Sequence, residues 1–122
     1  MKKLVSQEDR KKFEQAQRVY EAKDYEGAQE ILSELVAANP DHALLRAVLA
    51  NTYWDLGRID EALCEFEKAV LLDPASEKVS LGRFHCLWEQ GDKIKALDEA
   101  KRFLLISESE EYQNILSSIN ED

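Results

Sequence analysis

Two histidines, two cysteines and 25 carboxylates are the side chains most able to carry chemistry in this chain of 122 residues. Neither His42 nor His85 stands in an H-x-x-x-H or H-E-x-x-H pattern, and Cys64 and Cys86 do not make a C-x-x-C. Metal sites use such short spacings because their ligands must converge on one ion. The chain also lacks a glycine-rich phosphate loop and a G-x-S-x-G nucleophile turn. Among so many acids, Asp/Glu pairs arise by chance, and none is assigned acid–base work. The chain therefore reads as no enzyme, with no metal and no cofactor. Recognition is what remains. Tyr20, Trp54 and Trp88 recur at an interval of 34 residues, each followed by an acid, Glu21, Asp55 and Glu89. Gln17, Asn51 and His85 recur three residues before the aromatics. Aromatic faces stack, amides and imidazole hydrogen-bond, and carboxylates attract cations.

Offsets of three and four bring these residues to one face only on a helix. The middle copy of the pattern runs from Ala43 to Ser76, and sliding it by 34 gives Asp9 to His42 and Glu77 to Glu110. Ala28, Ala62 and Ala96 keep the same register. A period of this length means stacked two-helix units. Start and stop signals place helices over roughly 7–22, 25–38, 42–55, 59–71, 77–89, 93–106 and 110–119. Ser6, Asp24, Asp41, Ser76 and Asp92 are the expected openings. Asn39-Pro40 and Asp73-Pro74 close two helices, and Gly57 and Gly91 supply turns. In the last segment, Tyr112, Ile115, Leu116 and Ile119 form one apolar stripe, on a helix too short to stand alone.

Composition narrows the partner. Apolar residues make up 44% and charged residues 34%, and the net charge is −9. Nucleic acid demands clustered Lys and Arg, so it is excluded. A neutral or basic protein suits the charge better. The N-terminus has no apolar run of signal-peptide type, and no stretch approaches the ~20 apolar residues of a membrane span. Both cysteines are read as reduced thiols of a cytoplasmic protein, with His42 solvated and Cys86 partly buried.

Gly57, Ala62, Phe66, Ala69, Asp73 and Pro74 in the middle copy, with the period of 34, resemble the tetratricopeptide repeat. The first copy matches at Ala16, Ala28, Leu32, Leu35, Asn39 and Pro40, and the third at Leu87, Gly91, Asp92 and Ala96. The third copy departs at Ser80, Arg83 and Phe84, where the family usually puts two large apolar residues and a small one. Glu108 stands in place of its closing proline. The resemblance implies an all-α, right-handed α-solenoid of three antiparallel helix pairs with a short C-terminal capping helix. It implies one domain over 1–122, with repeats 9–42, 43–76 and 77–110. The aligned alanines would sit where the two helices of each unit cross.

The family's concave face, carried onto this chain, gives a candidate partner-binding set of Phe13, Gln17, Tyr20, Val48, Asn51, Trp54, Leu81, His85 and Trp88. Glu21, Asp55 and Glu89 would form an acidic rim, which reads first as a solvated edge. For Trp54 core packing stands ahead of partner contact; Trp88 is open between the two. Some members clamp the acidic tails of heat-shock chaperones with Lys, Asn, Asn, Lys and Arg. Here those places hold Phe13, Gln17, Val48, Lys78 and Gly82, and only Lys78 matches. The expected function is a protein-interaction module that binds a peptide or partner helix in the groove, as a dedicated chaperone or inhibitor of one partner. The alternative is a structural, self-assembling protein that dimerises through the C-terminal helix or third repeat. Monomer and weak homodimer are both open.

Overall fold

Every helix of the chain begins where a side chain can accept a backbone N–H, or where a turn has just closed. The structure, a computed structural model, describes residues 6–120, so the ends of the domain expected over 1–122 lie outside them. Among the described residues seven helices follow one another: α1 (Gln7–Glu21), α2 (Tyr25–Ala38), α3 (Ala43–Asp55), α4 (Ile59–Leu72), α5 (Glu77–Glu89), α6 (Lys93–Leu104) and α7 (Glu110–Asn120). Ser6, Asp24, Ser76 and Asp92 cap α1, α2, α5 and α6 as expected, each accepting from the backbone N–H three residues on.

One cap differs from expectation. His42, not Asp41, opens α3: its Nδ1 accepts from the Leu45 N–H at 3.2 Å. The ring is buried in doing so, which corrects its reading as a solvated side chain. A histidine can cap because neutral imidazole offers one bare ring nitrogen.

The turns within the three pairs share one geometry. Lys23, Gly57 and Gly91 stand in register, and all have positive φ, at 66°, 76° and 91°. Glycine suits that left-handed conformation, whereas lysine meets it against a steric cost.

α1 pairs with α2, α3 with α4 and α5 with α6, and α2 then packs on α3 and α4 on α5. Antiparallel pairs stacked in this way make a solenoid. Ala28, Ala62 and Ala96 are wholly buried. A larger side chain there would overpack the core, at about 1–3 kcal/mol. The core runs as three clusters, centred on Leu32 and Leu45, on Phe66 and Val79, and on Phe84, Phe103 and Tyr112. Cys86 is completely buried rather than partly, and burial pushes its thiol up to about 11. Cys64 is exposed.

α7 turns its apolar stripe inward. Tyr112 is fully buried, and Ile115, Leu116 and Ile119 pack against the third cluster. The stripe proposed for dimerisation is therefore engaged within the chain. Leu97 and Leu104 join that cluster, but Leu105 is 86% exposed and lies beyond the cap's cover.

Two of the third repeat's three departures, Ser80 and Phe84, meet α7 directly, and Arg83 shares the carboxylate that Ser80 reaches. Ser80 is buried, and its hydroxyl donates to Glu99 at 2.7 Å while also meeting the Tyr112 hydroxyl at 2.7 Å. Arg83 and Arg102 both pair with the fully buried Glu99 carboxylate. Phe84 stands edge-on to Tyr112, with ring centroids 5.5 Å apart. One repeat earlier, Arg46 occupies the place of Ser80 and pairs directly with Glu65, the counterpart of Glu99. Exchanging arginine for serine makes room for a tyrosine from α7.

Candidate functional site

The first helices of the units, α1, α3 and α5, carry the predicted recognition residues. Gln17, Asn51 and His85 are all exposed, as are Glu21, Asp55 and Glu89. Phe13, Tyr20, Val48, Trp54, Leu81 and Trp88 are half-buried. Helical spacing accounts for the mixture, because each side chain lies at the edge of its helix's buried stripe.

Six of these residues converge. Phe13, Gln17, Tyr20 and Glu21 of α1 and Val48 and Asn51 of α3 surround a cavity of about 330 Å³ whose floor is Ala16 and Leu32. Its walls are mostly apolar, its polar groups stand at the mouth, and no Lys or Arg lines it. Such a cleft can take a large apolar side chain and offer hydrogen bonds to the backbone beside it.

The remaining candidates divide. Trp54 packs against the middle core cluster and lines no part of this cleft. Leu81 packs against the third cluster. His85 and Trp88 instead border a second cavity of about 350 Å³, whose far wall is Asn114, Ile115, Ser118 and Ile119 of α7. Those four residues were not among the sequence candidates. A signal was present, since Ser109 caps α7 as Ser76 caps α5, each accepting from the N–H three residues on.

Two contacts change how the ladders read. The Tyr20 hydroxyl donates to Asp55, so aromatic ladder and acidic rim are joined across the first two repeats. Burial and this bond to a carboxylate together push the Tyr20 phenol up to about 12. Trp88 stacks on Phe84 at 5.8 Å, and the Lys93 ammonium lies 5.0 Å from its ring centre. Asp55 is thus not simply a solvated edge, and Trp88 is held in place by its neighbours.

A larger cavity, about 440 Å³, lies at the turns between repeats beside Asp41, His42, Leu72 and Asp73. None of the concave candidates borders it. Among the described residues no group of three or more His, Cys, Asp or Glu could hold a metal ion. No helix among them is long and apolar enough to cross a membrane.

Two tetratricopeptide repeat profiles match the sequence, over residues 19–65 and 48–106. The chain belongs to the tetratricopeptide repeat family. No curated protein matches it at the level of sequence. Among solved structures it is similar to the second tetratricopeptide domain of Spaghetti (RPAP3), bound to the HSP90 peptide SRMEEVD. That match has 25% identity and a TM-score of 0.73, and covers 83% of this chain and 94% of that one. The first such domain of Spaghetti, bound to the same peptide, has 21% identity and a TM-score of 0.80, with 97% and 94% covered. The type III secretion chaperone SycD of Yersinia enterocolitica, in complex with a peptide of the translocator YopD, is also similar. It has 16% identity and a TM-score of 0.80, with 98% and 92% covered. In this tetratricopeptide array α1 and α3 share a cavity, and α3 packs on α5.

Proposed function

We propose that this tetratricopeptide protein binds an extended segment of a partner protein in the groove formed by α1, α3 and α5. The observation that carries the reading is the cleft between α1 and α3, where Phe13, Tyr20 and Val48 supply apolar wall while Gln17 and Asn51 stand exposed at the mouth. Burial of one apolar anchor would give affinity, at about 25 cal/mol per Å², and the amides would fix backbone register. A related domain of Spaghetti holds a peptide, which supports the same mode here.

The partner differs in charge. SRMEEVD carries three acidic side chains, whereas the cleft is bordered by Glu21 and by no cation. An acidic tail would be repelled, and a neutral or basic segment drawn in. The protein then acts as a dedicated chaperone or inhibitor of one partner within the cell's soluble compartment, with no catalytic step.

The test is capture from source lysate with the wild type and with Asn51→Arg, which plugs the cleft from an exposed position. A protein retained by the wild type and lost by the variant supports the groove. Equal retention moves the binding site to another face. Mass by light scattering of the same preparations decides between this reading and self-assembly.

A further inference from the structure

We propose that α7 is a working wall of the groove as well as its cap, and that with α5 it forms a second anchor pocket. The groove then holds one extended segment by two apolar side chains about five or six residues apart, with a cationic residue beside the first. This rests on the groove reading above.

The second cavity repeats the first. On one side, Ala16, Gln17 and Tyr20 of α1 are replaced, two repeats on, by Phe84, His85 and Trp88 of α5. On the other side, Val48 and Asn51 of α3 find counterparts in Ile115 and Ser118 of α7. That correspondence is one residue short of two full repeats. The caps show why: Ser109 opens α7 one residue earlier than a strict period of 34 from Ser76 requires. α7 thus stands as the first helix of a further unit, shifted by one residue.

The place between the two cavities is filled. Phe66 is the counterpart of Leu32, the floor of the first cavity. Its ring lies so close to Gly82, the counterpart of Val48, that a Cβ there would sit 2.5 Å from Phe66 Cε1. In the third unit the corresponding residue is the smaller Ala100, buried in the core, and a cavity is present again, lined on the α5 side by Phe84, His85 and Trp88. Open, filled, open is a pattern suited to two anchors with a spacer.

Distance sets the spacer. Packed helices lie about 8–10 Å apart, so cavities two helices apart are separated by roughly 16–20 Å. An extended chain advances about 3.3–3.6 Å per residue, which places the second anchor about five or six positions from the first. Charge sets the direction. Glu21 borders the first cavity, while Lys93 sits on Trp88 beside the second. Glu89, exposed beside Trp88, offsets Lys93 there, so a cationic residue is favoured next to the first anchor and gains less next to the second.

Acetylated, amidated Gly-Ser peptides carrying one Phe, or two Phe at about three to nine positions apart, are the probes, with Lys or Glu beside one Phe. They are titrated into the ¹⁵N-labelled full chain and followed by amide shifts and fluorescence anisotropy. Single-Phe peptides should move amides at Gln17 and Asn51 and, separately, at His85, Asn114 and Ser118. Affinity should peak at a spacing of five or six, on the order of 10²-fold above a single anchor. Ser118→Trp, a change at an exposed position, should remove that gain and leave shifts at Gln17 and Asn51 intact. Shifts confined to Gln17 and Asn51, or no optimum in spacing, overturn the second pocket while the groove stands. No shift at either set overturns the groove reading too.

Discussion

The hydroxyl of Tyr112, on the last helix, lies 2.7 Å from that of Ser80 on α5, and both groups are completely buried. This contact joins cap to solenoid, because Ser80 also donates to Glu99, the carboxylate that gathers Arg83 and Arg102. Removing the hydroxyl alone, with Tyr112→Phe, should cost about 0.5–1.5 kcal/mol. Tyr112→Ala should cost about 3–5 kcal/mol by emptying the third cluster. Urea unfolding measures both, and a Tyr112→Ala chain as stable as the wild type would falsify the docking of α7.

Lys23 holds the turn that Gly57 and Gly91 hold elsewhere, at φ 66°. Lys23→Gly relieves a left-handed strain of about 1–2 kcal/mol and forgoes part of it through the freer unfolded chain. The expected result is a higher melting temperature, whereas Gly57→Ala and Gly91→Ala should lower it. A lower melting point for Lys23→Gly contradicts this account of the turn.

His42 caps α3 through a bare Nδ1. His42→Ala should destabilise by about 1 kcal/mol, and His42→Ser or His42→Asn should restore part of that, since each offers an acceptor oxygen. Equal losses in all three variants would assign the residue's contribution to packing instead.

Acid should loosen the third repeat. Burial alone would raise the Glu99 carboxyl, but hydrogen bonds from Arg102, Ser80 and Arg83 outweigh it and hold the group below its ordinary value. A depressed folded value means that the stabilisation is complete above the unfolded value of about 4.3. It is lost as pH falls through the folded value. Between about pH 6 and pH 3 the urea midpoint of the wild type should therefore fall further than that of Glu99→Gln. The variant should be weaker at pH 6 by about 3 kcal/mol, because two guanidinium groups lose their shared counter-charge. Parallel pH profiles for the two proteins would sink the argument.

Charge reversal probes the rim, and the Tyr20–Asp55 bond decides where. Asp55→Lys would break that bond and so perturb the fold as well as the groove. Glu21→Lys with Glu89→Lys is the cleaner pair, since both acids are exposed. Helicity and melting should stay within about 0.5 kcal/mol of the wild type. Association of a basic segment should slow, and its salt dependence should weaken. An unchanged association rate would mean that the rim steers nothing.

The helices and most of their caps were legible in the chain itself, and for one reason. Ser6, Asp24, Ser76 and Asp92 act on backbone groups three residues away, and Ala28, Ala62 and Ala96 answer to the crossing of adjacent helices. Such interactions are short in sequence, and a period of 34 repeats them, so the family was legible too. Asp41 is the commoner cap type beside α3, yet the structure buries His42 and gives its ring the cap. What the tertiary structure alone decided lies between distant residues. Ser80, Arg83 and Phe84 look like departures from the repeat until Tyr112 of α7 meets Ser80 and Phe84, and Glu99 gathers Ser80 and Arg83 into one shared network. Tyr20 is tied to Asp55, and Phe66 closes the space at Gly82. Each outcome depends on which apolar or polar partners meet in three dimensions, and a linear pattern carries no record of volume.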